Sequence, residues 1–185
     1  MQATAVAHPN IALVKYCGKA DVERNIPATG SLSITLDGLT NTTSVIFDST
    51  LSRDEFVLSG RKAPGMAERV SRCLDLVRER ADSEMHARVE SRNDFPTAAG
   101  LASSASGFAA LVVAADAALE AGIETIELAD LARRASGSAA RSLFGGFVEL
   151  RLTPGGILPT ETAQILDPSA WPLRVAVAVT DTGPK

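Results

Sequence analysis

An α+β domain is the fold class this chain predicts, on three observations. Strand-like segments crowd its first third. A single-faced helical period opens at Met66. Helices and strands then mix without a repeated strand–helix–strand unit. In order, the strand candidates of the first part are Ala3 to Ala7, Ile11 to Tyr16, Leu32 to Leu36, Thr42 to Asp48 and Glu55 to Leu58, a region where apolar and polar residues alternate. Pro64 to Glu79 reads as a helix. Met66, Val70, Cys73 and Val77 recur there at i, i+4, i+7 and i+11 and share one face, and proline suits the first turn. His86 to Ser91 is a further strand. Ser103 to Ala121 reads as a helix with Phe108, Leu111, Val112, Ala115 and Leu119 set among alanines, small enough to let it lie close to a sheet or another helix. Ile126 to Ala135 is a third helix, and a short one starts near Ser138. Phe147 to Thr153 and Leu173 to Thr180 are the last strands. The continuous run Val175-Ala176-Val177-Ala178-Val179 is typical of a buried strand. No repeat or linker divides the chain, so residues 1–185 read as one domain.

Composition narrows the partners. No apolar run approaches the ~20 residues of a membrane span, so no membrane partner is expected. A net charge of −4 with one Trp and one Tyr argues against nucleic acid. The global balance still leaves room for a local phosphate site, for which Lys15, Lys19, Arg69 and Arg141 are candidates. The first residues lack a basic segment followed by a long apolar stretch. Cys17 and Cys73 do not make a disulfide framework and are expected as reduced thiols in a cytoplasmic compartment. No Cys/His spacing suggests a metal site, and the isolated His8 and His86 are read as structural.

The chemistry concentrates in Pro96-Thr97-Ala98-Ala99-Gly100-Leu101-Ala102-Ser103-Ser104, a small-residue loop between a strand and a helix. Such a loop leaves backbone N–H groups uncovered beside the positive helix N-terminus and can wrap phosphates, with Ser103 and Ser104 adding hydroxyl donors. It has neither the Gly-Lys-Ser/Thr of a Walker loop nor the three glycines of a dinucleotide fingerprint. A helix cap packed closely on a sheet explains the same composition. Lys15, Tyr16 and Lys19 flank a turn at Gly18 and suit a diphosphate, while solvated surface lysines are the alternative. Ser136-Gly137-Ser138-Ala139-Ala140-Arg141 places Ser138 and Arg141 one helical turn apart. The planar guanidinium fits a carboxylate, and capping serines with a surface arginine are again the alternative.

The string Asn93-Asp94-Phe95-Pro96-Thr97-Ala98-Ala99-Gly100-Leu101-Ala102-Ser103-Ser104-Ala105 resembles the phosphate loop of the GHMP kinase superfamily, and within it the diphosphomevalonate decarboxylase family. Asn10-Ile11-Ala12-Leu13-Val14-Lys15-Tyr16-Cys17-Gly18-Lys19 and the stretch Ser136 to Phe147 are similar to two further motifs of that family, in the expected order. The resemblance implies a ribosomal protein S5 domain 2-like fold, a mixed sheet with packed helices. It also implies that the chain is the N-terminal domain of a larger enzyme whose C-terminal GHMP domain is absent here, and that alone it is inactive or nearly so. The implied reaction belongs to the mevalonate route to isoprenoids. ATP with Mg²⁺ phosphorylates the tertiary hydroxyl of 5-diphosphomevalonate, and phosphate and carbon dioxide then leave to give isopentenyl diphosphate. The implied substrate contacts are Asn10, Tyr16, Lys19, Arg69, Ser136, Ser138 and Arg141. The nucleotide phosphates fall to Pro96, Ala98, Ala99, Gly100, Leu101, Ala102, Ser103 and Ser104, with Ser103 and Arg141 catalytic. The general base is expected in the absent domain, and a homodimer is expected of the complete enzyme. Cys17, Thr29-Gly30 and Ala135 depart from the family pattern and leave the substrate open among related mevalonate phosphates. A GHMP small-molecule kinase and an inactive nucleotide-binding domain remain as alternatives.

Overall fold

The structure is a computed structural model that describes residues 1–15, 18–96 and 100–178. Its strands are β1 (Gln2–Ala7), β2 (Asn10–Val14), β3 (Lys19–Asp21), β4 (Ile26–Pro27), β5 (Ser31–Thr35), β6 (Asn41–Phe47), β7 (Glu55–Leu58), β8 (Arg61–Lys62), β9 (Ala87–Asn93), β10 (Phe147–Leu152) and β11 (Thr160–Leu166). Its helices are α1 (Pro64–Ala81), α2 (Ser103–Leu119) and α3 (Thr125–Ala135), followed by a 3-10 turn, Ala139–Leu143. A mixed sheet runs β1-β6-β9-β7-β8, with β7 parallel to β9 and its other neighbours antiparallel. An antiparallel sheet runs β11-β10-β5-β2, and β3 and β4 form a hairpin of their own. The architecture is the expected α+β, a mixed sheet with packed helices.

The core follows from side-chain period. Along β6 the inward positions are Asn41, Thr43, Val45 and Phe47, and they face Asn93, Ser91, Val89 and Ala87 of β9. One end of this shared face is therefore apolar and the other polar. Helix α1 presents Val70, Cys73, Leu74 and Val77 to the apolar end, the i, i+3, i+4, i+7 stripe of an amphipathic helix. Helix α2 is apolar nearly all round and accordingly buried nearly all round. Phe108, Leu111 and Val112 fill the main core, and Ala109 and Ala110 let it close on Ala7 of β1. Leu128, Leu131 and Ala132 bring α3 against the same core.

Several boundaries differ from expectation. Residues 173–178, expected as a buried strand, are exposed and form none, and the rest of that run lies outside the described residues. This segment pairs with no strand of the antiparallel sheet, whose edge strands are β11 and β2. The segment is instead approached by Trp171, whose ring stacks on Phe147 with centroids 5.3 Å apart and planes 4° from parallel. Strand β2 starts one residue early and ends at Val14 rather than Tyr16, which lies outside the described residues. Strand β11 was not expected: its inward residues are Thr160 and Thr162, so it lacks an apolar alternation. The short helix near Ser138 is a 3-10 turn with Ser138 at its N-cap.

One buried ion pair ties the far end of the mixed sheet together. Arg78 meets Asp54 in a salt bridge with both side chains less than a tenth exposed. Asp54 also accepts from Ser71 and from the Ala87 N–H, and the guanidinium lies 5.6 Å from the Phe47 ring centroid. Burial alone pushes the Asp54 carboxyl up. Hydrogen bonds from Arg78, Ser71 and Ala87 outweigh it and hold the group below its ordinary value of 3.8. A carboxyl lowered on folding stabilises the fold above its unfolded value, and that stabilisation is lost as pH falls through the lower folded value. Asp54→Asn is expected to cost about 3 kcal/mol at pH 7, because it removes the buried carboxylate opposite Arg78 and leaves only the exposed Asp75 as its counter-ion. Urea titrations check this, with the gap to wild type closing as pH falls below 3.8. A second expectation concerns Ala102, the N-cap of α2, which sits in the left-handed region at φ 52°. Glycine pays no Cβ penalty there, so Ala102→Gly is expected to stabilise by about 0.5 kcal/mol after its larger chain entropy is counted, read as a melting-temperature rise of about 1–2 °C.

Candidate active site

Two cavities adjoin across Arg69, and the first turn of α2 borders one of them. The first, of about 210 Å³, opens between β7, α1 and α2. Phe56, Leu58, Met66, Phe108 and Leu111 give it apolar walls, and the polar ends of β6 and β9 give it a floor of Asn41, Thr43, Ser91 and Asn93. That floor is internally bonded. Asn41 Nδ2 donates to Ser91 Oγ at 2.9 Å and to Asn93 Oδ1 at 2.8 Å, while Thr43 Oγ1 donates to Asn41 Oδ1 at 2.8 Å. Ser103 and Ser104 stand at its edge. No side chain caps α2, and of its first N–H groups that of Ala105 donates to the Ala102 carbonyl at 2.8 Å.

The second cavity, of about 650 Å³, lies on the other side of α1. Lys19, Arg69, Arg72 and Arg134 outnumber Glu23 and Asp75 on its walls, and Asp75 is itself paired with Arg78. Such a cleft favours an anion. Cys73 lies on its floor, where burial pushes the thiol up to about 12 and keeps it a neutral, apolar surface. Arg69 lines both cavities. It donates to the Ala135 carbonyl at 2.8 Å and lies 4.9 Å from the Phe108 centroid, which binds α1 to the loop leaving α3. That loop carries Ser136, whose Oγ is 3.4 Å from Ser104 Oγ, so the two cavities are joined by a pair of hydroxyls.

Behind Ser138 lies a buried polar knot. Arg141 donates from Nε to Ser33 Oγ at 3.0 Å, from Nη1 to Ser31 Oγ at 2.5 Å and from Nη2 to Asn10 Oδ1 at 3.3 Å. Asn10 in turn donates to Ser142 Oγ at 2.7 Å and to the Ser138 carbonyl at 3.0 Å. The first residue of β2, two inward residues of β5 and the 3-10 turn thus fix one guanidinium. The surface arginine offered as an alternative is not what the chain builds: Arg141 is 3% exposed. Nor do the four candidate cations converge. Lys19 and Arg69 line one cleft, whereas Arg141 sits behind Ser138 and Lys15 projects past the end of β2. Of the expected phosphate-loop residues, Pro96, Gly100, Leu101, Ala102, Ser103 and Ser104 lead into α2, with Leu101 packed on Leu36 and Phe95. Tyr16, Cys17, Thr97, Ala98 and Ala99 lie outside the described residues.

Sequence reasoning missed the floor of the first cavity and the serines that hold Arg141. The signal was present: Asn41 and Thr43 occupy inward strand positions where an apolar residue is the norm, as do Ser31 and Ser33. Among the described residues no group of three or more His, Cys, Asp or Glu could hold a metal ion. Among the described residues, the Ser103 and Ser104 hydroxyls are oxygen donors at the start of α2 that a magnesium ion could use. That suits an ion held mainly by nucleotide phosphates and water. No helix among the described residues is long and apolar enough to cross a membrane.

The chain is similar to known proteins across this whole region. The family model of the diphosphomevalonate decarboxylase-like N-terminal domain matches residues 7–155. The diphosphomevalonate decarboxylase of Candida albicans is 40% identical over 193 residues, which cover 96% of this chain and 53% of the relative. The phosphomevalonate decarboxylase of Haloferax volcanii is 41% identical over 151 residues, 81% of this chain and 47% of the relative. Among solved structures, the mevalonate diphosphate decarboxylase of Enterococcus faecalis superposes with a TM-score of 0.82 at 45% identity, covering 90% of this chain and 52% of that one. A structure of MDDEF in complex with MVAPP, AMPPCP and magnesium gives 0.81 at 44%, covering 90% and 51%. The chain spans about half the length of the curated relatives it matches. Fold, motif order and similarity agree, and the chain belongs to the diphosphomevalonate decarboxylase-like family, whose N-terminal domain it carries.

Proposed function

We propose that this chain is the nucleotide- and substrate-binding domain of an ATP-dependent decarboxylase acting on 5-diphosphomevalonate. The observation that carries the reading is the junction of two unlike cavities at Ser104 and Ser136, with Arg69 in the wall of both. One cavity, apolar above and amide- and hydroxyl-lined below, suits a planar heterocycle; the other, cationic, suits a diphosphate. A phosphoryl donor and its acceptor held on the two sides would meet at the first turn of α2. The N–H groups of that turn and the Ser103 hydroxyl would stabilise the charge of the moving phosphoryl group. Tyr16, Lys19 and Arg69 are assigned to the substrate diphosphate, and Ser136 and Ser138 to its oxygens. Pro96 to Ser104, with Ala98 and Ala99 among them, are assigned to the ATP phosphates.

Arg141 and Asn10 are assigned to the mevalonate end. Bonds to Ser33, Ser31 and Asn10 fix the direction of the guanidinium, and burial strengthens its attraction for a carboxylate. In the proposed sequence the tertiary hydroxyl takes the γ-phosphoryl group and ADP leaves. The carbon–oxygen bond then breaks with loss of phosphate, and the carboxylate's carbon–carbon electron pair forms the new double bond as carbon dioxide departs. Magnesium, when bound with ATP, supplies charge neutralisation at the phosphates. The similarity to a phosphomevalonate decarboxylase supports a second substrate reading, with one phosphate fewer. A cytoplasmic, homodimeric complete enzyme belongs to the same proposal, and the buried free thiol of Cys73 suits a reducing compartment.

The test is the complete gene product with ATP, Mg²⁺ and 5-diphosphomevalonate or its monophosphate counterpart, following ADP and carbon dioxide together. Equal release of both is expected. ADP alone would turn the assignment to a kinase, and neither product from either substrate would turn it to an inactive binding domain. Arg141→Ala is expected to lower kcat about 10²- to 10³-fold, the cost of losing one fixed charge-stabilising donor, with melting temperature measured alongside.

A further inference from the structure

We infer that Asn25 and Arg133 form a reciprocal clamp that holds the Lys19 hairpin against the end of α3, and that they are positioning residues for the cationic cleft. The Arg133 side chain is 1% exposed. Its Nη1 donates to the Arg24 carbonyl at 3.0 Å and the Asn25 carbonyl at 2.7 Å. Asp130 neutralises it through Nε at 3.1 Å and Nη2 at 2.7 Å. Asn25 answers in the opposite direction: its Nδ2 donates to the Arg133 carbonyl at 2.7 Å and the Arg134 carbonyl at 3.4 Å. These are the carbonyls that the last turn of a helix leaves open. Asn25 holds φ 53°, a left-handed conformation in which its short polar side chain is tolerated better than most.

The clamp matters because of what it joins. Strands β3 and β4 form a two-stranded sheet of three and two residues, and Lys19, Ala20, Val22, Glu23 and Arg24 are exposed. A hairpin of this kind is marginal in water without an anchor. Its tip is held on α3, and the residues that follow α3 are Ser136 and Gly137. Lys19 on one arm and Ser136 on the other face the same cleft. The span between them is set by the Asn25–Arg133 bonds, since the two sides are otherwise more than a hundred residues apart in sequence. Arg133 lines neither of the two cavities described above; it acts through the hairpin backbone. The chemical class this geometry serves is a diphosphate monoester whose two phosphates must reach both arms at once, and to that extent the inference rests on the proposed reaction.

The test uses the complete gene product with Asn25→Gly, which keeps the left-handed backbone and removes only the amide. Arg133→Lys is its companion, keeping the charge opposite Asp130 and losing the Nη1 group that reaches two carbonyls. Hydrogen–deuterium exchange decides the clamp whatever the turnover assay returns. Amides of residues 18–28 are expected to exchange at least about tenfold faster in both variants, while α1 and α2 stay protected. Unchanged exchange there would overturn the clamp. Positioning is read in steady-state kinetics. KM for 5-diphosphomevalonate is expected to rise about tenfold in both variants, with kcat within about twofold and KM for ATP unmoved. Faster exchange with an unmoved KM, or an equal rise in both KM values, would overturn the positioning role. A wild-type enzyme inert toward the substrate would sink the proposed reaction, and the exchange rates would still pass judgement on the clamp itself.

Discussion

Everything the site does depends on helix α2 being seated in the protein rather than on it. Alanines at 105, 109, 110, 114, 115 and 118 remove the bulk that would hold a helix off its neighbours, so α2 closes on β1, β6, α1, α3 and the 3-10 turn at once. Apolar burial of this extent locks both the position and the roll of the helix. Its N-terminal turn is then fixed beside Ser136, where Ser104 reaches toward the second cavity. Ala102 carries a backbone conformation unfavourable for a residue with a Cβ, and it is the surrounding packing, with Leu101 held against Leu36 and Phe95, that over-determines it.

A second regularity is the division of each sheet's inner face along its length. On β6 and β9 the same face that seals the core with Val45, Phe47, Ala87 and Val89 supplies Asn41, Thr43, Ser91 and Asn93 to a cavity. On β5 the inward serines 31 and 33 hold a guanidinium where a core would place leucine or valine. Buried polar groups cost free energy unless bonded, and these are bonded to one another. Such a self-satisfied floor is rigid before any ligand arrives, which lowers the ordering cost of binding.

How much of this was legible in the sequence follows from which forces were local. Helix α1 declared itself through the spacing of Met66, Val70, Cys73 and Val77, and α2 through its alanines, because one-dimensional period maps directly onto burial. The three motifs pointed to the loop before α2, the Lys19 turn and the Ser136–Arg141 stretch; in the structure Ser104 approaches Ser136, and Lys19, Arg69 and Ser136 line one cleft. What the sequence concealed was non-local. Strand β11 exists because β10 offers an edge, and its inward threonines hide it from a search for apolar alternation. The tail at 173–178 shows the converse, a run of strand-forming residues that pairs with no strand among the described residues. The burial of Arg141 was illegible for the same reason: its partners Asn10, Ser31 and Ser33 lie more than a hundred residues away, and nothing nearby in the chain reveals them.

The stacking of Trp171 on Phe147 carries an optical consequence. This chain has a single tryptophan, so its intrinsic fluorescence above 295 nm excitation comes from one address. That indole is 55% exposed on one side and pressed on an aromatic ring rooted in β10 on the other. Its emission therefore follows the seating of the segment after β11 on the antiparallel sheet, and it does so separately from the melting of the α1–α2 core.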